Sequence, residues 1–200
     1  FYGQAATEEA DFVDVRRRVG LLFQDADDQL FSPTVLEDVA FGPRNLSLAA
    51  DLVSARVEEA MAETGVTELA DRAPHNLSGG EKRMCSIAAV LALRPRLMIY
   101  DEPSASLDIR SRRRLIEFLL ASSATALIAS HDLELVLEVC PRTIVVDDGS
   151  TDATAGIVRQ RAERMPISLV EHPRNLGLGA AIRDGFVAAT RQAAERDVIV

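Results

Sequence analysis

Leu97-Met98-Ile99-Tyr100-Asp101-Glu102 (LMIYDE, residues 97–102) carries four apolar residues directly into two carboxylates. A short, continuous apolar run beginning just after Pro95 reads as a strand buried on both faces, as in parallel sheets. Its acids then stand at the carboxyl end of the strand, where open α/β sheets collect their ligands. Neighbouring side chains on a strand point to opposite sides, so Asp101 and Glu102 need not share a role. Mutual repulsion and desolvation at such a mouth are relieved by Mg²⁺, with one acid serving the metal and the other a water. Taken alone, the pair could equally cap the next helix.

Outward from this run the same pattern repeats. Val19 to Phe23 reads as a strand followed by Gln24, and Thr125 to Ala129 as a strand followed by Ser130-His131-Asp132. Leu77-Ser78-Gly79-Gly80-Glu81 opens a helix with a hydroxyl and two glycines, which presents free N–H groups at the positive end of the helix dipole and favours an anion. Helices are expected over Thr34 to Phe41, Leu48 to Thr64 with Gly65 as the stop, Gly79 to about Leu93, Asp108 to Leu120 and Leu133 to Val139. Beyond a strand at Thr143 to Val146, a helix capped by Ser150-Thr151-Asp152 should run to about Arg164. Ile167 to Val170 reads as a strand, Gly179 to Glu195 as a helix and Val198 to Val200 as a strand. Alternation of this kind predicts an α/β fold with a parallel sheet.

The 200 residues are 48% hydrophobic and 26% charged, an ordinary globular composition that excludes disordered and collagen-like classes. A formal charge of −9 argues against nucleic acid as a partner. The basic run Arg110 to Arg114 reads instead as a solvated helix face, because Leu115, Ile116, Leu119 and Leu120 follow at helical spacing. Cys85 and Cys140 lie in apolar stretches without a C-x-x-C partner and read as buried thiols of a reducing compartment. The uncharged run from Phe118 to Ser130 is 13 residues, short of the roughly 20 that span a bilayer. Membrane contact is therefore expected only through partners.

Five motifs in order give the chain its resemblance. VGLLFQ with Gln24 resembles a Q-loop, LSGGE at 77–81 a signature sequence, LMIYDE a Walker B strand, SASLD ending at Asp108 a D-loop, and IASHD with His131 an H-loop. Residues 1 to about 149 thus resemble the nucleotide-binding subunit of ATP-binding cassette (ABC) transporters. FQDADDQLFSPTVLEDVAFGPRNL resembles the energy-coupling-factor and cobalt-type branch. The resemblance implies ATP and Mg²⁺ as cofactors, with Asp101 holding Mg²⁺ through water, Glu102 orienting or deprotonating the attacking water and His131 steadying the γ-phosphate. Ser78, Gly79 and Gly80 would touch ATP bound by a second ABC ATPase subunit, and Gln24 and Asp108 would complete the ATP-binding set. Membrane-embedded transporter subunits would dock on the segment after Gln24. The implied location is cytoplasmic, peripheral to the inner face of the cell membrane.

Lys82 is the sole lysine and follows Glu81, so the sequence contains no G-x-x-x-x-G-K-[ST] loop, the Walker A element of the family. The expectation is an incomplete P-loop-type sheet over 1–146, with a helical subdomain at about 32–95, that binds ATP weakly or not at all alone. From Thr143 onward a second resemblance begins. VVDDGSTD followed by HPRNLGLGAAIRDGF is similar to glycosyltransferase family 2, which implies a partial GT-A-like α/β segment over 147–200 in which Asp148 contacts the nucleotide base of a nucleotide sugar. The residues up to 146 carry a charge of −8 and the remainder −1. Three readings stand: an ABC importer ATPase subunit inactive as a fragment, a glycosyltransferase fragment, and a non-functional fusion of the two families at their shared strand.

Overall fold

The computed structural model describes residues 8–192. Its first sheet is three parallel strands in the order β1 (Val19–Leu22), β2 (Leu97–Asp101), β3 (Thr125–Ala129). Leu22 lies opposite Tyr100, and Asp101 opposite Ala129. Phe23-Gln24, Asp101-Glu102 and Ser130-His131 consequently leave the sheet along one edge. The middle strand is the one read first from sequence, and its Met98 and Tyr100 are buried.

Helices cover this sheet and form a bundle beside it. The helix α1 (Glu9–Arg18), which the apolar pattern did not announce, leads into β1. Then α2 (Val35–Asn45), capped by the Thr34 hydroxyl, packs with α3 (Ala50–Thr64) and α4 (Gly79–Leu91) around Val39, Val57, Met61 and Met84. Gly65 ends α3 in the left-handed conformation, at φ 65°, as its position predicts. The sheet and α4 meet at Gly20, where a Cβ would lie 2.4 Å from Val90 Cγ1 and 2.7 Å from Met98 Sδ. Only a glycine lets α4 approach that closely.

Two further helices, α5 (Ile109–Ala121) and α6 (Leu133–Val139), follow β2 and β3. The basic run is more than a solvated face. Arg112 forks onto Asp132 at 2.6 and 2.7 Å, Arg113 joins Glu117 and Glu138, and Arg114 donates to the carbonyls of Thr64 and Gly65. These arginines tie α5 to α6 and to the end of α3. Lys82 is mostly covered and pairs with Asp27 at 2.5 Å. Cys85 and Cys140 are free, buried thiols that burial pushes up to about 12.

A second, two-stranded parallel sheet pairs β4 (Thr143–Asp147) with β5 (Ile167–Glu171), flanked by α7 (Thr154–Ala162) and α8 (Leu178–Gln192). The strand at Thr143, placed by sequence in the first unit, forms its ladder with β5 in the second. Among the described residues, the hydrophobic core cluster runs from Leu22 to Cys140 and draws none from beyond it. Asp152 does not cap α7. It accepts from the N–H and hydroxyl of Thr154, and the helix begins at Thr154 with Ala153 in the N-cap position. The strand expected at Val198 to Val200 lies outside the described residues.

Candidate active site

At the shared carboxyl edge, Glu102 reaches across from β2 to the end of β3. Its backbone turns through φ 43°, a strained conformation for a non-glycine residue, and its N–H donates to the Ala129 carbonyl at 2.8 Å. The carboxylate, about one-fifth exposed, accepts from the Ser130 hydroxyl at 3.2 Å and the His131 N–H at 3.0 Å, and lies 2.8 Å from His131 Nδ1. This hydrogen bond and the carboxylate charge raise the His131 pKa, although the ring is 82% exposed. The cluster is therefore a carboxylate gripping an imidazole whose far nitrogen faces solvent. An ionised carboxylate offers about four lone-pair positions, so Glu102 retains room for a water.

Asp101 points the other way, into an open cavity of about 720 Å³ that Gln24, Gly79, Lys82 and Leu107 also line. Three of the expected site residues, Gln24, Gly79 and Asp101, thus share one cavity wall. Glu102 and His131 touch each other beside it. Asp101 and Gln24 contribute hard oxygen donors, which suit Mg²⁺ held through water, and no group of three or more metal-ligating side chains forms among the described residues.

The turn before α4 is built by a capping box. The Ser78 hydroxyl and N–H both bond the Glu81 carboxylate, at 2.7 and 2.8 Å, while Ser78 Oγ accepts from the Glu81 N–H. These bonds hold the Glu81 carboxyl below its ordinary range. The two glycines differ in their reasons. A Cβ at Gly79 would meet nothing within 4 Å, whereas one at Gly80 would fall 2.0 Å from Ser111 Oγ and 2.5 Å from its Cβ. Asp108 sits behind that contact as the N-cap of α5, accepting from Ser111 N–H at 2.9 Å and lowered in pKa mainly by it. Asp108, Ser111 and Gly80 form one chain of contacts that sets the start of α4 against the start of α5.

Sequence reasoning missed Arg83. Only 3% exposed, it donates through its two terminal nitrogens to the carbonyls of Phe23 and Gln24, both at 2.6 Å. Burial lowers its pKa, and the Asp25 charge opposes that effect. The same helix that begins with Ser78-Gly79-Gly80 thereby holds the backbone at Gln24. A cation two residues past a signature glutamate was the available signal, but sequence alone gave it no partner.

In the second unit, Asp148 is fully engaged. Its carboxylate lies 2.7 Å from His172 Nδ1 and accepts from the N–H groups of Leu176 and Gly177 at 2.8 and 2.9 Å. His172, buried, reaches Asp184 through Nε2 at 3.1 Å. The His172 hydrogen bond leads the interactions that lower the Asp148 pKa, and the two carboxylates raise that of His172 against the effect of burial.

Comparison with known proteins places the first unit. The family model described as ABC transporter matches residues 2–105. The chain belongs to the ABC transporter family. That match holds Gln24, Ser78, Gly79, Gly80, Asp101 and Glu102, and stops before Asp108 and His131. A putative ABC transporter ATP-binding protein of Synechocystis is 54% identical over 131 residues, which cover 66% of this chain and 46% of the relative. A cobalt import ATP-binding protein of Rhodobacter capsulatus is 44% identical over 158 residues, 76% of this chain and 56% of the relative. The solved structure of cbiO1 from Clostridium perfringens, part of the ABC transporter complex cbiONQ, aligns with a TM-score of 0.63 at 36% identity, covering 67% of this chain and 55% of that one. The chain spans about half the length of these ABC relatives. A second model, glycosyl transferase family 2, matches residues 141–196.

Proposed function

We propose that the chain is part of an ATP-hydrolysing subunit of an ABC importer of the energy-coupling-factor or cobalt type. The observation that carries this reading is the Glu102 carboxylate locked onto Ser130 and His131 at the sheet edge, with Asp101 turned into the adjoining cavity. Mg²⁺, when bound, would neutralise charge on the transferred phosphate, and Asp101 would hold it through water. Glu102 orients the attacking water and takes its proton. The exposed nitrogen of His131 donates to the γ-phosphate as charge develops there, a role its raised pKa favours. The turn at Ser78 to Gly80, in which Gly79 is open, meets ATP held by a second ABC ATPase subunit. Gln24 senses the nucleotide, and Asp108 fixes α5 against the signature turn.

The relatives support the partner reading. The exposed pair Phe31 and Phe41, stacked edge to face at 4.8 Å, offers the segment after Gln24 to membrane-embedded subunits, and the location follows as cytoplasmic and peripheral to the membrane. Among the described residues no helix is long and apolar enough to cross a membrane. The test is phosphate release by the full gene product in its transporter complex, with Glu102→Gln. A loss of about a hundredfold with ATP binding retained is expected, since removing one general base typically costs 10²–10⁴-fold. Unchanged turnover would remove Glu102 from this role.

A second reading concerns the remainder. From about Thr143 the chain reads as a partial glycosyltransferase family 2 segment joined to the ABC domain, a reading that the separate β4–β5 ladder and the second family match support, with the junction ahead of the 146/147 boundary expected from sequence. For Asp148 to meet a nucleotide base it must first release His172 or the N–H groups of Leu176 and Gly177. Amplifying native DNA across codons 135 to 160 tests the junction, and an absent amplicon excludes a biological fusion.

A further inference from the structure

The opposite edge of the first sheet carries chemistry that the ATPase reading does not use. Arg17 and Arg18 end α1 just before β1, and Arg94 and Arg96 stand just before β2. The Arg96 N–H donates to the Arg18 carbonyl at 2.7 Å, which fixes the two strand entrances side by side. With Arg56 of α3 these residues line a cleft of about 340 Å³. Its remaining walls are Leu46, Leu48 and Leu93, and among the described residues no carboxylate lines it.

Acids engage some of these arginines. Asp14 pairs with Arg18 at 2.9 Å, and Glu59 pairs with Arg94. Among the described residues, Arg17 and Arg56 form no ion pair. Arg56 makes one long bond, from Nη1 to the Leu93 carbonyl at 3.4 Å, and its Nε is shut off from solvent without a hydrogen-bond partner. In a chain of net charge −9, five arginine residues line this one cleft.

We propose that this cleft binds a diphosphate-bearing small molecule. Guanidinium forks match phosphate oxygens two at a time, and one carboxylate would satisfy only one fork. These forks arrive from three separate segments, so a multivalent tetrahedral anion can engage several at once. The volume falls within the roughly 300–1,000 Å³ typical of small-molecule sites. The diphosphate could be free pyrophosphate or the tail of a nucleotide.

Calorimetric titration of the 200-residue chain with inorganic pyrophosphate tests the site. One binding event is expected, weakened about tenfold or more in the Arg17→Gln/Arg56→Gln double variant, as loss of two charge-assisted contacts predicts. Arg17→Gln alone, an exposed change, keeps the test available should the double variant unfold, and a smaller loss is expected for it. ADP then distinguishes the sources: competition with pyrophosphate assigns a nucleotide tail, and binding of pyrophosphate unaffected by ADP assigns the free anion. Equal affinity in parent and variants, or equally tight binding of sulfate at matched ionic strength, overturns the proposal.

Discussion

Glu102 is strained in its backbone and held through its carboxylate by Ser130 and His131, so a change there alters more than one carboxyl oxygen. The raised pKa of His131 depends first on its hydrogen bond to Glu102 and then on that group's charge. In Glu102→Gln the His131 pKa should therefore fall toward its ordinary value, read by NMR titration of the ring protons. The sign for stability follows. A histidine raised in the folded state contributes fully below its unfolded pKa of about 6.5, and that contribution disappears as pH rises through the folded value. An unmoved His131 titration would show that the contact does not set its protonation. The glycines make a paired prediction. Gly80→Ala drives a Cβ into Ser111 and should destabilise by about 1–3 kcal/mol, as overpacking does. Gly79→Ala meets open space and should be neutral or slightly stabilising, since alanine favours the helix. Denaturant unfolding of both variants checks the pair, with Gly80→Ala/Ser111→Gly expected to recover part of the loss. Sequence predicted one shared reason for the two glycines, an anion at the helix start. It could not show the second reason at Gly80, because Ser111 is distant in sequence and only packing brings it close.

Elements were legible wherever periodicity and a terminal signal agreed. The β3 strand, α6 and the Gly65 stop fall where the pattern put them, because short apolar runs and a left-handed cap are local properties. What joins elements was not legible. Arg83 on α4 acts on two carbonyls at the end of β1, and nothing in the letters around either site pairs them. Arg83→Met keeps the stem but leaves both carbonyls without their donor, and should cost about 2–3 kcal/mol per charged hydrogen bond lost, less any water that enters. Arg83→Lys should recover only part, since an ammonium lacks the fork. Urea midpoints of the two variants decide this, and equal stability of all three proteins would refute the clamp. The β5 end makes a pH prediction of its own. Raised His172 lies between lowered Asp148 and Asp184. The carboxylates contribute above their unfolded pKa of about 3.9 and lose that contribution as pH falls through their lowered values. The imidazolium contributes below about 6.5 and loses its share as pH rises through its raised value. The cluster is therefore strongest between about pH 4 and 6.5. Exchange of the Leu176 and Gly177 amides, which Asp148 holds, should be most protected relative to intrinsic rates in that window. Protection that is flat across this range would exclude the coupling.

At the scale of the whole molecule the two sheets differ in what holds them. The first is buried under the apolar faces of five helices, α2 to α6, within one cluster that ends at Cys140, with Leu22, Met98, Leu115 and Leu135 fully enclosed. Beyond Cys140, Ala189 is the one buried apolar residue among those described, and the buried groups beside it are the polar Asp147 and His172. Every strand residue of β4 before Asp147 is only half-buried. A two-stranded sheet without a closed apolar face has little hydrophobic driving force to offset its conformational entropy. The sequence could not reveal this contrast, since Ile144-Val145-Val146 is as apolar as Ile99 and its neighbours, and burial depends on what packs above it. Native-state hydrogen exchange should consequently find the amides of β4 and β5 opening at lower denaturant than those of β2, with a smaller denaturant dependence that reports a sub-global event. Removing a core side chain of the first unit, as in Leu115→Ala, should lower the opening energy of β2 by about 2–5 kcal/mol and leave that of β4 and β5 unchanged. If β2, β4 and β5 instead exchange through one common opening that shifts together in the variant, the two sheets belong to a single cooperative unit.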